Sequence, residues 1–304
     1  MKKIFRKLLR PIENGIIIYI FLKSLTFFIQ LIPIFLFEKM IKLLGIFSFY
    51  IMKGHRKLVL KNMDIAFGDR YTKEEKIKMC KRLFEECMSF LEIFQLYKFN
   101  DEQLMKMVEI EGEEVLKEVL KEKRGVIAIC PHMGNFPFAL TILCKKGYPV
   151  NMIVARSVNV YTENDLRKLR KKFGVPSISK KDLKKAIEES QKWVKNGGIL
   201  CIYLDQHAPN GVECEFFGRR VFVPTGAAVF ARKYKTSVIG LYTVRIAPMK
   251  HKIMIEGPYK LKESENVSKD IKENTAFFIK KVQEWVEKYP EHWSSWLNPG
   301  RFPD

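Results

Sequence analysis

Apolar residues fill the stretch from Gly15 to Phe37, interrupted only by Lys23, Ser24, Thr26, Gln30 and Pro33. Roughly 20 apolar residues cross a bilayer core, so the stretch is long enough for one membrane-anchoring helix. Bases flank it on both sides, at Lys2, Lys3, Arg6, Lys7 and Arg10 before it and Lys39, Lys42, Lys53, Arg56 and Lys57 after it. These bases, with Lys23 in mid-segment, leave open a helix that spans and one that lies in the interface. The run is too long for a cleaved signal peptide, and no A-x-A-like site ends it.

From Lys53 to Val115 the periodicity is helical, and Thr72–Glu75 reads T-x-x-E, the signature of a capping box. Beyond Lys121 short β-branched runs alternate with amphipathic stretches. The spacing predicts strands over Gly125–Cys130, Val150–Ala155, Gly198–Leu204, Ser237–Val244 and Lys252–Glu256. It predicts helices near Ala139–Lys146, Thr162–Phe173, Lys181–Lys195, Gly226–Lys235 and Val267–Tyr289. That alternation predicts an α/β fold, a mixed, mostly parallel sheet flanked by helices, behind an N-terminal hydrophobic anchoring helix. With no repeat or linker, residues 1–52 read as the membrane anchor and interfacial helix, and residues 53–304 as one domain.

Composition narrows the partners. Of 304 residues 47% are hydrophobic and 29% charged, which supports a sizeable core and argues against disorder. Lys and Arg outnumber Asp and Glu by 54 to 34, a net charge of +20 that favours an anionic partner. The bases are spread along the chain among glutamates without a nucleic-acid motif, so an anionic membrane surface is the more economical partner. Six cysteines show no CxxC pairing and several sit inside apolar runs, as reduced buried thiols of a cytoplasmic domain do. His55, His207, His251 and His292 lack metal-ligand spacing, and no metal site is expected.

Two segments carry candidate chemistry. In Cys130-Pro131-His132-Met133-Gly134-Asn135-Phe136-Pro137 a β-branched run ends and a Gly-Asn turn leads into a helix. His132 thus falls just past the carboxyl end of a strand, the edge where α/β sheets put their sites, and imidazole suits general-base work near neutral pH. In the second segment a strand ends at Asp205 and Gln206, and Gly218-Arg219-Arg220 and Gly226 follow. The guanidinium pair and the helix start at Gly226 suit an anionic group, although a solvated basic loop beside a capped helix would look the same. The Trp293 and Trp296 tail reads more readily as packed on the core than as a membrane-interface belt.

The joint order of these blocks resembles the lysophospholipid acyltransferase superfamily, in particular the late (lauroyl and myristoyl) acyltransferases of lipid A biosynthesis. The matching residues run along nearly the whole chain: Arg56, Asn62 and Ala66-Phe67; His132 with Gly134-Asn135; Arg156 and Asn159; Asp205-Gln206; Phe216-Phe217-Gly218; Pro224, Gly226 and Ala228; and Pro290, Trp293, Trp296 and Arg301-Phe302. The resemblance implies transfer of a fatty acyl chain from a thioester, usually of acyl carrier protein, to a hydroxyl of a membrane lipid such as a lipid A precursor. It implies His132 as general base, Gly134, Asn135, Arg156, Gln206, Gly218 and Gly226 at the substrates, no cofactor, and work on the cytoplasmic face of a bacterial inner membrane. The guanidinium pair Arg219 and Arg220 is expected at the substrates on its charge.

One position departs from the family pattern. The signature H-x4-D/E places a carboxylate five residues after the histidine, where this chain has Pro137. Proline fits the start of a helix but accepts nothing from His132. Three readings follow: the carboxylate comes from elsewhere, Asp205 first and Glu213 or Glu215 behind it; His132 works without a partner; or the protein binds lipid at the membrane without catalysis.

Overall fold

The computed structural model describes residues 16–154, 167–168 and 170–302. The sheet is assembled from β1 (Val108–Glu111), β2 (Val126–Cys130), β3 (Val150–Val154), β4 (Ser177–Ser179), β5 (Ile199–Tyr203), β8 (Ser237–Ala247) and β9 (Lys250–Glu256). Their order is β1-β9-β8-β2-β5-β3-β4, and every neighbouring pair is parallel except the β8–β9 hairpin. Between β5 and β8 a second, two-stranded sheet forms from β6 (Val212–Phe216) and β7 (Arg219–Val223).

β2 lies at the centre, buried along its whole length, because both faces of a parallel sheet are covered by helices. Ile127 and Ile129 face a core shared with the helices Gly226–Tyr234 and Val267–Lys288 and the C-terminal tail. Val126, Ala128 and Cys130 face the other core, with the helices Glu113–Lys121 and Phe136–Lys145. The five strands expected from β-branched runs are all present, with bounds within three residues of those expected. Burial pushes the Cys130 thiol well above its ordinary pKa, so it remains a packed, protonated side chain.

The N-terminal expectation needs correcting. The stretch Gly15–Phe37 does not form one anchoring helix: α1 (Ile16–Leu31) ends before Pro33, and α2 (Ile34–Ile51) begins after it. Proline lacks an N–H and drives the residue before it out of helical geometry, so the break falls at Ile32-Pro33. The sixteen described residues of α1 span about 24 Å at 1.5 Å each, against a hydrocarbon core of roughly 30 Å. α2 carries Glu38, Lys39 and Lys42. No described helix is long and apolar enough to cross a membrane.

Instead the pair packs inward through Ile29, Phe37, Ile41 and Phe49 and turns Phe27, Phe28, Leu31, Phe35 and Phe47 outward. Gly45 lets α2 approach the helix α4 (Lys73–Ser89): a Cβ there would stand 2.6 Å from the Glu85 Cα. Between them, α3 (Lys53–Phe67) follows Met52 directly. The capping box of α4 forms as read, with Thr72 and Glu75 exchanging hydrogen bonds.

Candidate active site

β2 and β5 run side by side with Cys130 opposite Tyr203. His132 and Asp205 each follow by two residues, so the ladder itself brings them together at the carboxyl edge of the sheet. The pairing continues past the strand ends, where the Leu204 N–H donates to the Cys130 carbonyl at 3.1 Å. The His132 backbone N–H donates to Asp205 Oδ2 at 2.9 Å, and its ring Nδ1 lies 2.6 Å from Oδ1. Pro137 sits near the start of the helix Phe136–Lys145, and the carboxylate at the ring arrives from the neighbouring strand.

Asp205 is fully buried, and its oxygens are saturated. Oδ2 also accepts from the Trp293 indole N–H at 2.7 Å and from the Ser295 hydroxyl at 2.9 Å. Arg301, itself buried, donates to the Asp205 carbonyl at 3.0 Å, its guanidinium 4.3 Å from the centre of the Phe216 ring. Burial opposes the Asp205 charge, but His132 and Arg301 outweigh it and hold the carboxyl far below the usual range. For His132 burial pulls the pKa down, and the Asp205 charge and hydrogen bond more than offset this, leaving it raised.

A carboxylate at Nδ1 favours the tautomer with its proton there, which leaves the Nε2 lone pair available. Nε2 faces the open side, where its lone pair accepts a long hydrogen bond of 3.4 Å from the exposed Gln206 carboxamide N–H, a contact that an incoming hydroxyl would replace. The rings of Tyr203 at 4.5 Å and Phe136 at 5.5 Å wall the imidazole. Its side chain keeps 22% of its surface exposed, enough for a hydroxyl to reach Nε2. Chemically, an imidazole held this way by a buried carboxylate can accept a proton at Nε2.

The turn behind His132 is clamped by the tail. The His132 carbonyl accepts from the Ser294 N–H at 3.0 Å and its hydroxyl at 2.9 Å, and the Gly134 N–H donates to the His292 carbonyl at 2.9 Å. Gly134 has φ of +54°, and a Cβ there would stand 2.5 Å from the Thr243 carbonyl oxygen, so only glycine fits. Asn135 is buried and donates to the Ser89 carbonyl at 3.1 Å, tying the turn to α4.

The other expected substrate residues lie apart. Phe217 and Gly218, with φ of +51° and +69°, form the two-residue turn of the β6–β7 hairpin, a conformation that favours glycine. Arg219 and Arg220 separate: Arg219 lines a groove with α3, and Arg220 lies 3.9 Å from Glu213. Gly226 opens the helix Gly226–Tyr234. Among the described residues no hydrogen bond or ion pair joins Gly218, Arg219, Arg220 or Gly226 to His132 or Asp205. Glu213 and Glu215 alternate outward on β6, away from the core-facing Cys214 and Phe216. Arg156 and Asn159 lie outside the described residues. Trp293, Ser294, Ser295 and Arg301 are the contributors that strand-end reasoning misses; the only signal is an aromatic tail rich in buried N–H donors.

Among the described residues no group of three or more His, Cys, Asp or Glu side chains is placed to hold a metal ion. No curated protein matches the chain. The family model described as Bacterial lipid A biosynthesis acyltransferase matches residues 1–301.

Proposed function

Because the chain belongs to the bacterial lipid A biosynthesis acyltransferase family, it is an acyltransferase acting on a lipid, and we propose that His132 is its general base and Asp205 the residue that orients it. The observation that carries this reading is the 2.6 Å contact between Nδ1 and Asp205 Oδ1, with Nε2 left facing the open side. It favours the working-enzyme reading of the Pro137 departure, since a carboxylate is present at the ring without one in the motif.

In the proposed step the acceptor hydroxyl gives its proton to Nε2 as its oxygen attacks the thioester carbonyl. The tetrahedral intermediate collapses with cleavage of the C–S bond, and the departing thiolate takes the proton back from the imidazolium. Asp205 stabilises the transient imidazolium and remains ionised. An acyl carrier protein thioester is the proposed donor, and a hydroxyl of a lipid A precursor or related membrane glycolipid the proposed acceptor. Gln206 stands nearest the reacting nitrogen and is the substrate contact the geometry favours.

Residues 1–52 are proposed as the attachment to the cytoplasmic face of an inner membrane, and residues 53–304 as the catalytic unit. The exposed phenylalanines of α1 and α2 support an attachment that lies in one leaflet.

The test is acyl transfer from carrier-protein thioesters to lipid A precursors in detergent. His132→Ala is expected to lower kcat by on the order of 10²–10⁴-fold with KM and folding unchanged. Asp205→Asn should fall within the same range. Equal product from His132→Ala and the parent would remove the assigned role.

A further inference from the structure

α3 places Lys53, Arg56, Lys57, Leu60, Lys61, Asp64 and Ile65 on one face, following helical spacing. Arg219 of the β6–β7 hairpin stands across from them, and between them lies an open groove of about 750 Å³. Its single carboxylate, Asp64, is already held by Lys76 at 2.6 Å. Among the described residues Lys53, Arg56, Lys57 and Arg219 have no ion-pair partner. The Arg56 guanidinium is instead held over the Phe49 ring, 5.1 Å from its centroid. Like charges one helical turn apart destabilise a helix by about 0.2–0.5 kcal/mol per pair, a repulsion that an anion among them relieves.

The position of the groove narrows the anion. It begins one residue beyond Met52, where α2 ends with Leu43, Phe47, Tyr50 and Ile51 exposed by 57–66%. An amphipathic helix exposing such a face lies with it about 5–10 Å into the boundary between acyl chains and headgroups. From Lys53 to Lys61 the helix rises roughly 12 Å at 1.5 Å per residue. The headgroup layer on each side of a bilayer is about 5–8 Å thick, so the first turns of α3 stand at its level. An acidic face of a protein donor would match the charge equally well, but nothing about it explains why the groove is continuous with an apolar face.

We propose that the groove of Lys53, Arg56, Lys57 and Arg219 binds the phosphates of anionic lipid headgroups, an electrostatic clamp beside the apolar attachment. The proposal rests on the membrane-attachment reading above and is independent of whether His132 catalyses acyl transfer.

The experiment is binding of the full chain to vesicles of phosphatidylcholine, and of phosphatidylcholine mixed with phosphatidylglycerol, for the parent and for Lys53→Gln/Lys57→Gln/Arg219→Gln. The parent is expected to bind the mixed vesicles more tightly, in a manner weakened by salt. Each basic residue at such a surface contributes about fivefold, so the triple variant should lose on the order of 100-fold on mixed vesicles. Its binding to neutral vesicles should be unchanged, and circular dichroism should match the parent because all three side chains are exposed. A triple variant that binds mixed vesicles as the parent does overturns the proposal. So does a variant whose only loss is affinity for the carrier-protein donor, which would assign the groove to that protein. A parent that binds neither vesicle fails the attachment reading and this proposal with it, whatever its acyl-transfer activity.

Discussion

At the residue scale the proposed base His132 and its proposed orienting partner Asp205 carry a pH dependence that can be worked out. Burial alone would lower the His132 pKa, and the Asp205 charge reverses that, so the folded value lies above the ordinary 6.5 or so. A base must be unprotonated, and the acid limb of kcat/KM should therefore fall above about pH 6.5. In Asp205→Asn the raising influence goes and burial remains, so the limb should move below about 6.5. A limb that stays in place in the variant would show that it belongs to another group. The stability linkage has the opposite sense for the two partners. The raised His132 pKa contributes stability that is complete below its unfolded value and lost as pH rises through the folded one. The lowered Asp205 pKa contributes stability present above its unfolded value and lost as pH falls through the folded one. Each partner is readable from the chain, since each follows a buried strand by two residues. What the chain does not display is that these strands are neighbours, a contact between residues 73 apart in sequence. Nor does local pattern show that Trp293, from a further 88 residues on, saturates the acid.

At the scale of elements the strands that local pattern reveals are those buried on both faces, where β-branched runs are continuous. Those it hides are short or half-exposed. β1 reads Val-Glu-Ile-Glu and sits at the sheet edge, β4 is only Ser-Ile-Ser, and the β6–β7 hairpin alternates charge with core residues, which makes it look like a basic loop. Long-range polar contacts are hidden in the same way. Glu92, in the turn after α4, is buried and accepts from His251 Nε2 at 2.7 Å, Arg245 Nε at 2.9 Å and the Met249 N–H at 3.3 Å. Arg245 also reaches Glu86 at 3.3 Å, so one carboxylate pair joins α4 to the β8–β9 hairpin. Burial opposes ionisation of Glu86, but contacts from His292 and Arg245 hold its carboxyl below the usual range. Removing Glu92 leaves the buried His251 imidazole without its acceptor and Arg245 with Glu86 as its remaining carboxylate. Glu92→Ala is expected to lose about 3–5 kcal/mol in urea unfolding, and Glu92→Gln less because it retains an acceptor. A change within about 0.5 kcal/mol would mean that the network adds nothing beyond its own desolvation cost.

At the scale of the whole molecule, the sheet edge that carries His132 and the N-terminal helices are joined by α3. One side of α3 grips the tail, with Asn62 donating to the Trp296 carbonyl at 2.8 Å and Phe67 packed 5.4 Å from the Trp296 ring. Its other side lines the basic groove. The helix pair before it is amphipathic in a way a hydropathy window cannot resolve: Ile29, Phe37 and Ile41 belong to the core, while Phe28 and Phe35 are each 61% exposed. Apolar content along the segment is therefore divided between folding and attachment, and only tertiary contacts tell the shares apart. Phe28→Ser/Phe35→Ser removes two exposed rings without opening a cavity, so the unfolding midpoint should stay near the parent's. Full burial of a phenylalanine is worth roughly 1.5–3 kcal/mol, and two partly inserted rings should together contribute about 3 kcal/mol, close to 100-fold in affinity for neutral vesicles. The salt-dependent gain from phosphatidylglycerol should survive in this double variant, because the cations that produce it lie on α3 and β7. Loss of both kinds of binding together would mean that the groove reaches the headgroups only when the phenylalanines are inserted. Unchanged binding to neutral vesicles would instead show that α1 and α2 do not attach the protein through their exposed face.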